Sequence, residues 1–285
     1  VMAAGNVIVG TTTGSSLVNP GIGSADYFLV KTTPAAPGIY QHRLIVTAGG
    51  TAGHTLTIRG LNQTRGVIDF ASDATVQTAS TATDPPRYIQ WYGFGREEQV
   101  YVRITGTAST TSPYTITLET TPVSTINLGT YYNGDITIDR PAGVATDTDF
   151  WVYDSNFNAI PNYGNDDPNT LTRGYAIGTY YVGYTNFNFA NDQPAASDDT
   201  FLSGIVMDFA AAANSSTTLF PNLSVRVTDP FDAIITPTPK STQFDVVWLQ
   251  FTVGDTPPVT GACCLPDGTC VQATLNGCGV LSGTY

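Results

Sequence analysis

The chain has 285 residues, of which 41% are hydrophobic and only 12% charged, with a net charge of −12. That length allows two domains of roughly 100–200 residues each, and the charged share is about half the usual one. Eleven Lys and Arg against 23 Asp and Glu argue against nucleic acid as a partner, because phosphate binding rests on clustered cations that release counterions. An anionic membrane surface is disfavoured for the same reason, and no run reaches the ~20 apolar residues of a spanning helix. Cations are the natural small partners. Thr, Ser, Asn, Gly and Tyr cover the surface in place of charge, as suits an extracellular setting, and the only lysines are Lys31 and Lys240. The start, Val-Met-Ala-Ala, fits a secreted product whose signal peptide has been removed.

In chain order, the first piece is an N-terminal arm over residues 1–20 with a strand-like stretch from Asn6 to Thr12. Such an arm can add to a neighbour's sheet edge. "HTLTIRG" then alternates with period two, as does "QVYVRITG", which puts Val100, Val102 and Ile104 on one face. "YTITLET" turns Tyr114, Ile116 and Leu118 inward. A boundary falls at "TTPVST", Thr120 to Thr125, where one alternating pattern ends at a proline and another begins. "DITID", "TYYVGYT" and "NLSVRVT" continue the alternation. "FDVVWLQFTV" is apolar on both faces and reads as a central, doubly covered strand. Only "GIVMDFAAAANSS" has the look of a helix, and its Asn and Ser stand at the wrong end for an N-cap. The fold class is therefore all-β: two tandem antiparallel β-sandwich, jelly-roll-like domains. They are expected over residues 1–121 and 122–254. A stiff Pro spacer (255–260) then leads to a disulfide-stapled C-terminal tail (261–285).

All four cysteines lie in that tail: Cys263, Cys264, Cys270 and Cys278. Zinc ribbons favour paired C-x2-C elements, and a spacing that begins with two adjacent cysteines is unlike them. Two disulfides suit a piece too small to build a core. A Cys263–Cys264 bond would be strained, so each reaches to Cys270 or Cys278. Pro266-Asp267-Gly268 supplies the turn.

"ADYFLV", "GTAGHTLTIRG" and "EEQVYVRITGTASTTSPYTITLE" resemble the bacterial pre-peptidase C-terminal domain. So, in the second half, do "DTDFWVYDSNFNAIPNYGNDD" and "IGTYYVGYTNF". The resemblance implies non-catalytic β-sandwiches of secreted bacterial proteins. The tail is similar to a short G-A-C-C-x-P-D-G-x-C repeat of secreted bacterial proteins.

Catalytic patterns are absent from the sequence: there is no G-x-S-x-G, H-E-x-x-H or phosphate-binding glycine loop. His42 and His54 stand in strand-like surroundings and read as packing residues, so an enzyme is not expected. The acidic loops are the best site candidates. Asp147, Asp149, Asn165, Asp166 and Asp167 form the favoured calcium set, with Asp154 flanking the same strand and Asp192, Asp198 and Asp199 forming a second acidic loop. Calcium takes about six to eight oxygens, which loops at one end of a sandwich can supply. The ordinary alternative is that these residues cap turns. Trp91 and Tyr92, or Tyr184, Phe187 and Phe189, would serve a glycan only as an exposed row. Core packing explains them more simply. Asn62, Asn214 and Asn222 stand in glycosylation sequons.

The function expected is a secreted structural subunit of an extracellular filament, sheath or surface layer. It would self-associate through sandwich contacts, the N-terminal strand and a tail docked on a neighbouring subunit. The alternative is an accessory module that attaches a secreted enzyme to polysaccharide or protein.

Overall fold

The computed structural model describes residues 5–14, 23–48, 53–59, 75–80, 87–106, 111–143, 147–165, 170–186, 189–193, 211–214, 219, 222–255 and 259–285. These residues are almost entirely β, in several antiparallel sheets. The chain divides into two compact units. One comprises residues 1–124 and 188–217, the other residues 125–187 and 218–285.

Unit 1 contains β1 (Val7–Thr12), β2 (Ala25–Lys31), β3 (Tyr40–Ala48), β4 (His54–Arg59), β5 (Thr75–Ser80), β6 (Arg87–Gly93), β7 (Gln99–Gly106) and β8 (Ser112–Pro122). They pair as two four-stranded sheets, β1-β8-β3-β6 and β2-β7-β4-β5. Alternation sets the inward faces. Val100, Val102 and Ile104 of β7 are buried, as are Tyr114, Ile116 and Leu118 of β8, with Leu44, Leu56, Ile58 and Ile89. The Tyr114 hydroxyl donates to Asp26 Oδ2 at 2.6 Å, which links the sheet of β8 to that of β2.

Unit 2 contains β9 (Ile126–Tyr132), β10 (Gly134–Asp139), β11 (Thr148–Tyr153), β12 (Ala159–Asn165), β13 (Thr170–Tyr175) and β14 (Gly178–Asn186). The chain then contributes β15 (Phe189–Ala190) and β16 (Ala213–Asn214) to unit 1. It returns for β17 (Ser224–Thr228), β18 (Ala233–Pro237) and β19 (Val247–Gly254). The sheets of unit 2 are β13-β10-β17-β18 and β12-β11-β14-β19-β9. Their shared core includes Ile136, Ile138, Phe150, Val182, Tyr184, Val225, Val227, Leu249, Phe251 and Val253. Asp139 and Arg226 are register partners and form a bidentate ion pair at 2.8 and 2.6 Å.

Three features depart from the sequence reading. Residues 122–254 were read as one continuous second domain, whereas residues 188–217 group with unit 1; Ala212 bridges Tyr92 of β6 there. Alternation reports the face a residue shows, not the sheet its strand joins. β9 pairs with β19 in parallel, because the strand that opens the unit runs in the same direction as the one that closes it. β19 is buried on both faces only at Trp248 and Leu249; from Gln250 onward it alternates. The helix-like stretch 204–216 lies largely outside the described residues, and its described end, Ala213–Asn214, is β16.

Gly164 faces Trp151 across the β11–β12 pair, and a Cβ there would overlap the indole ring. That indole also donates to Ile160 O at 3.0 Å, so the ring has little freedom to yield. Gly164→Ala is expected to lower stability by about 1–3 kcal/mol through overpacking, measured as a lower urea midpoint at an unchanged m-value.

Candidate functional site

Of the calcium set named from the sequence, Asp147, Asp149 and Asn165 lie among the described residues. Asp149 is buried on β11, and Asn165 closes β12 opposite Phe150. Asp147 is exposed just before β11, and Asp166 and Asp167 lie outside the described residues. Asp154 caps a turn, accepting from Asn156 N at 2.8 Å and from Asn158 N and Nδ2 at 2.9 and 3.0 Å. Asp192 is exposed, and Asp198 and Asp199 lie outside the described residues. Among the described residues, no group of three His, Cys, Asp or Glu converges as a metal site.

The proposed aromatic rows are not surfaces. Trp91, Tyr92, Tyr184 and Phe189 are all buried, and Phe187 lies outside the described residues. Trp91 and Tyr92 are both buried because β6 is covered on both faces from Ile89 to Gly93. Of the sequon asparagines, Asn214 is fully buried on β16, Asn222 is exposed, and Asn62 lies outside the described residues.

Both histidines are internal. His54 packs edge-on against Tyr114, with ring centroids 5.4 Å apart. His42 stacks on Trp91 at 5.5 Å, and its Nδ1 lies 2.9 Å from Thr120 Oγ1. Glu98 Oε2 and His42 Nε2 both crowd the space a side chain on Gly93 would need. Glu98 is committed to its own turn. It accepts from Phe94 N at 2.6 Å, Arg96 N at 3.2 Å and Thr32 Oγ1 at 2.8 Å. Burial lowers the His42 pKa from 6.5 to about 4. The unfolded chain therefore binds the proton first as pH falls. Stability is fully present above pH ~6.5 and is lost toward pH ~4, by about 3 kcal/mol. His42→Gln is expected to flatten that loss, measured as the difference between wild-type and variant urea stabilities across this window.

The tail forms a hairpin, β20 (Gly261–Cys264) with β21 (Cys270–Ala273), followed by a short helix, α1 (Leu275–Val280). The two bonds are Cys263–Cys278 and Cys264–Cys270. Alternation explains the pairing. Cys263 turns inward to meet Cys278, and Cys264 turns outward, directly opposite Cys270. Gly283 passes so close to the Cys263 sulfur that a Cβ would overlap it. The tail is held on its own unit: Thr274 Oγ1 donates to Asp232 Oδ2 at 2.5 Å and caps α1 by accepting from Gly277 N at 2.9 Å. Thr274→Val removes both bonds. It is expected to destabilise the capped turn by about 1 kcal/mol, seen as faster hydrogen exchange at Cys278 and Leu281 with the sheets of unit 2 unchanged.

One buried cation lies where the sequence reading singled out nothing. Lys240 follows β18 and is buried; its Nζ donates to Asn186 Oδ1, at the end of β14, at 2.7 Å. The loop that carries Lys240 is tightly fixed. The Asp245 carboxylate accepts from Ser241 N and Oγ at 3.2 and 2.9 Å and from Thr242 N and Oγ1 at 2.6 and 2.7 Å. Thr185 Oγ1 donates to Asp245 O at 2.9 Å, tying the loop to β14. Phe244, fully buried, holds a left-handed φ of 62°. A bulky residue adopts that conformation only where its surroundings over-determine it. Burial lowers the Lys240 pKa from 10.5 to about 8, opposed by the charge of Asp245. An amine shifted in this way is a better nucleophile near neutrality. The available signal was scarcity: Lys240 is one of only two lysines, set in the polar, proline-rich run TPTPKSTQ.

Compared with family models and with curated proteins, the chain matches none.

Proposed function

We propose that this protein is a non-catalytic structural subunit of an extracellular assembly, a filament, sheath or surface layer, built by self-association. The observation that carries the reading is an apolar pair of edges on unit 1. Among the described strands, β1 ends one sheet and β2 ends the other. Sheet edges are ordinarily blunted with charge or proline. Here β1 shows Val7 and Val9 at 55% and 72% exposure, and β2 shows Tyr27 and Leu29. A cleft of about 350 Å³ lies here, lined by Val7, Ile8, Phe28, Leu29 and Lys31 among others. It suits an extended segment of a second copy, bound by strand addition.

The tail supports the same reading. One side is anchored to Asp232, while Val271, Leu275, Leu281 and Tyr285 are exposed. Two disulfides in so small an element fit an oxidising, extracellular compartment. No helix among the described residues is long and apolar enough to cross a membrane.

Sedimentation velocity with negative-stain imaging tests the proposal. The full chain is expected to form concentration-dependent polymers. Val9→Lys, which places a charge on the edge, is expected to raise the concentration needed for assembly about tenfold or more, a loss of ~1.4 kcal/mol per contact. A wild-type chain that stays monomeric at every concentration overturns the proposal.

A further inference from the structure

We propose that Lys240 and Asn186 are the two halves of an intramolecular isopeptide cross-link, formed by the folded protein itself inside unit 2. This is independent of whether the protein polymerises. The contact is 2.7 Å from Nζ to Oδ1, between residues 54 positions apart. With a carbonyl bond of about 1.23 Å, the Asn186 Cγ lies within ~4 Å of the amine, close to the ~3–3.5 Å of a near-attack arrangement. Both side chains are buried. Neither has to be recruited from solvent, and the fold has already supplied the proximity that makes such a step effectively unimolecular.

The chemistry balances without an outside reagent. The neutral Lys240 amine attacks Asn186 Cγ, and its electron pair forms the Nζ–Cγ bond. The carbonyl π electrons move to oxygen and return as the Cγ–Nδ2 bond breaks. One proton passes from the former amine to the departing nitrogen, which leaves as ammonia. Nothing is oxidised or reduced.

Three features of the site favour this step over an ordinary structural hydrogen bond. The partner at 2.7 Å is a neutral carboxamide, which offers a buried ammonium far less than a carboxylate would. Burial accordingly moves Lys240 toward its neutral, nucleophilic form. The loop is also pinned to β14 through Thr185 and Asp245, so the two groups cannot easily separate. Exclusion of water protects the new amide from hydrolysis.

Intact mass of the full chain, measured after reduction and denaturation, reads the bond directly. The expected mass is that of the sequence less one ammonia, and proteolysis should yield one branched peptide joining the Lys240 and Asn186 segments. Lys240→Arg keeps a cation but cannot form this amide, so its mass should return to the full value. A wild-type chain at full mass, with separate Lys240 and Asn186 peptides, overturns the proposal. So does an ammonia loss that persists in Lys240→Arg, which would place the chemistry elsewhere, for example at a succinimide-forming asparagine.

Discussion

Phe251 is the contact on which unit 2 depends. It projects from β19 and meets three tyrosine rings. It stacks on Tyr180 of β14, its register partner, at 5.4 Å. It meets Tyr131 of β9 and Tyr175 of β13 edge-on at 5.8 and 5.5 Å. β13 belongs to the opposing sheet, so one ring fixes the register within a sheet and the spacing between two. Aromatic pairs of this kind add about 0.5–1.5 kcal/mol each beyond the area they bury, and slipping β19 by one residue would turn Phe251 to the wrong face. Tyr175 is deeply buried, and its hydroxyl pKa is raised by that burial. Its ring also meets Tyr163 and Tyr180 edge-on. Tyr131 comes to Phe251 from β9, which pairs with β19 in parallel.

Much of this was legible in the sequence, because the two-residue period is a local property. Val100, Val102, Ile104, Tyr114, Ile116 and Leu118 were each assigned a face from their neighbours alone, and each is buried. What was not legible is non-local. Nothing in residues 188–217 states that their described parts belong with unit 1, since β16 is only two residues long. The site was harder to read still. A search for chemistry by residue type led to acidic clusters, because carboxylates are numerous. Yet Asp154 and Asp245 are both spent on turns, and Asp139 on Arg226. The group with unusual surroundings was a lone lysine whose partner, Asn186, lies at the end of a strand far away in sequence.

The tail shows the same period-two rule at its smallest scale. Adjacent cysteines look like a redundancy until they are placed on a strand, where successive side chains point to opposite faces. Cys263 then closes a small interior with Cys278, Ala273 and Leu265, while Cys264 staples the hairpin from outside. The rule does not extend to α1, which the sequence reading did not foresee. The six residues Leu275–Val280 are too few for a helix to form alone. Here the turn is capped by Thr274 and held at Cys278, so packing supplies what propensity does not.

Polar groups enter the interior of unit 2 mainly where strands end, and β14 shows why. Its first half carries Tyr180, Val182 and Tyr184 against the core. Its last two residues, Thr185 and Asn186, turn polar while remaining buried. A strand that stops inside the protein leaves an open end to the sandwich, which must be closed. The loop after β18 closes it with Lys240 and with a turn fixed by Asp245. Burying an amine there is costly unless it is paired or neutral, and Lys240 is paired with Asn186. In the tail, water reaches the stapled hairpin, and sulfur provides a bond that survives it. At the end of β14 an amine and a carboxamide are buried together, and a short hydrogen bond ties the loop to the strand. The two environments thus call for different ways of holding chain ends in place, and the placement of four cysteines and one buried lysine follows that division.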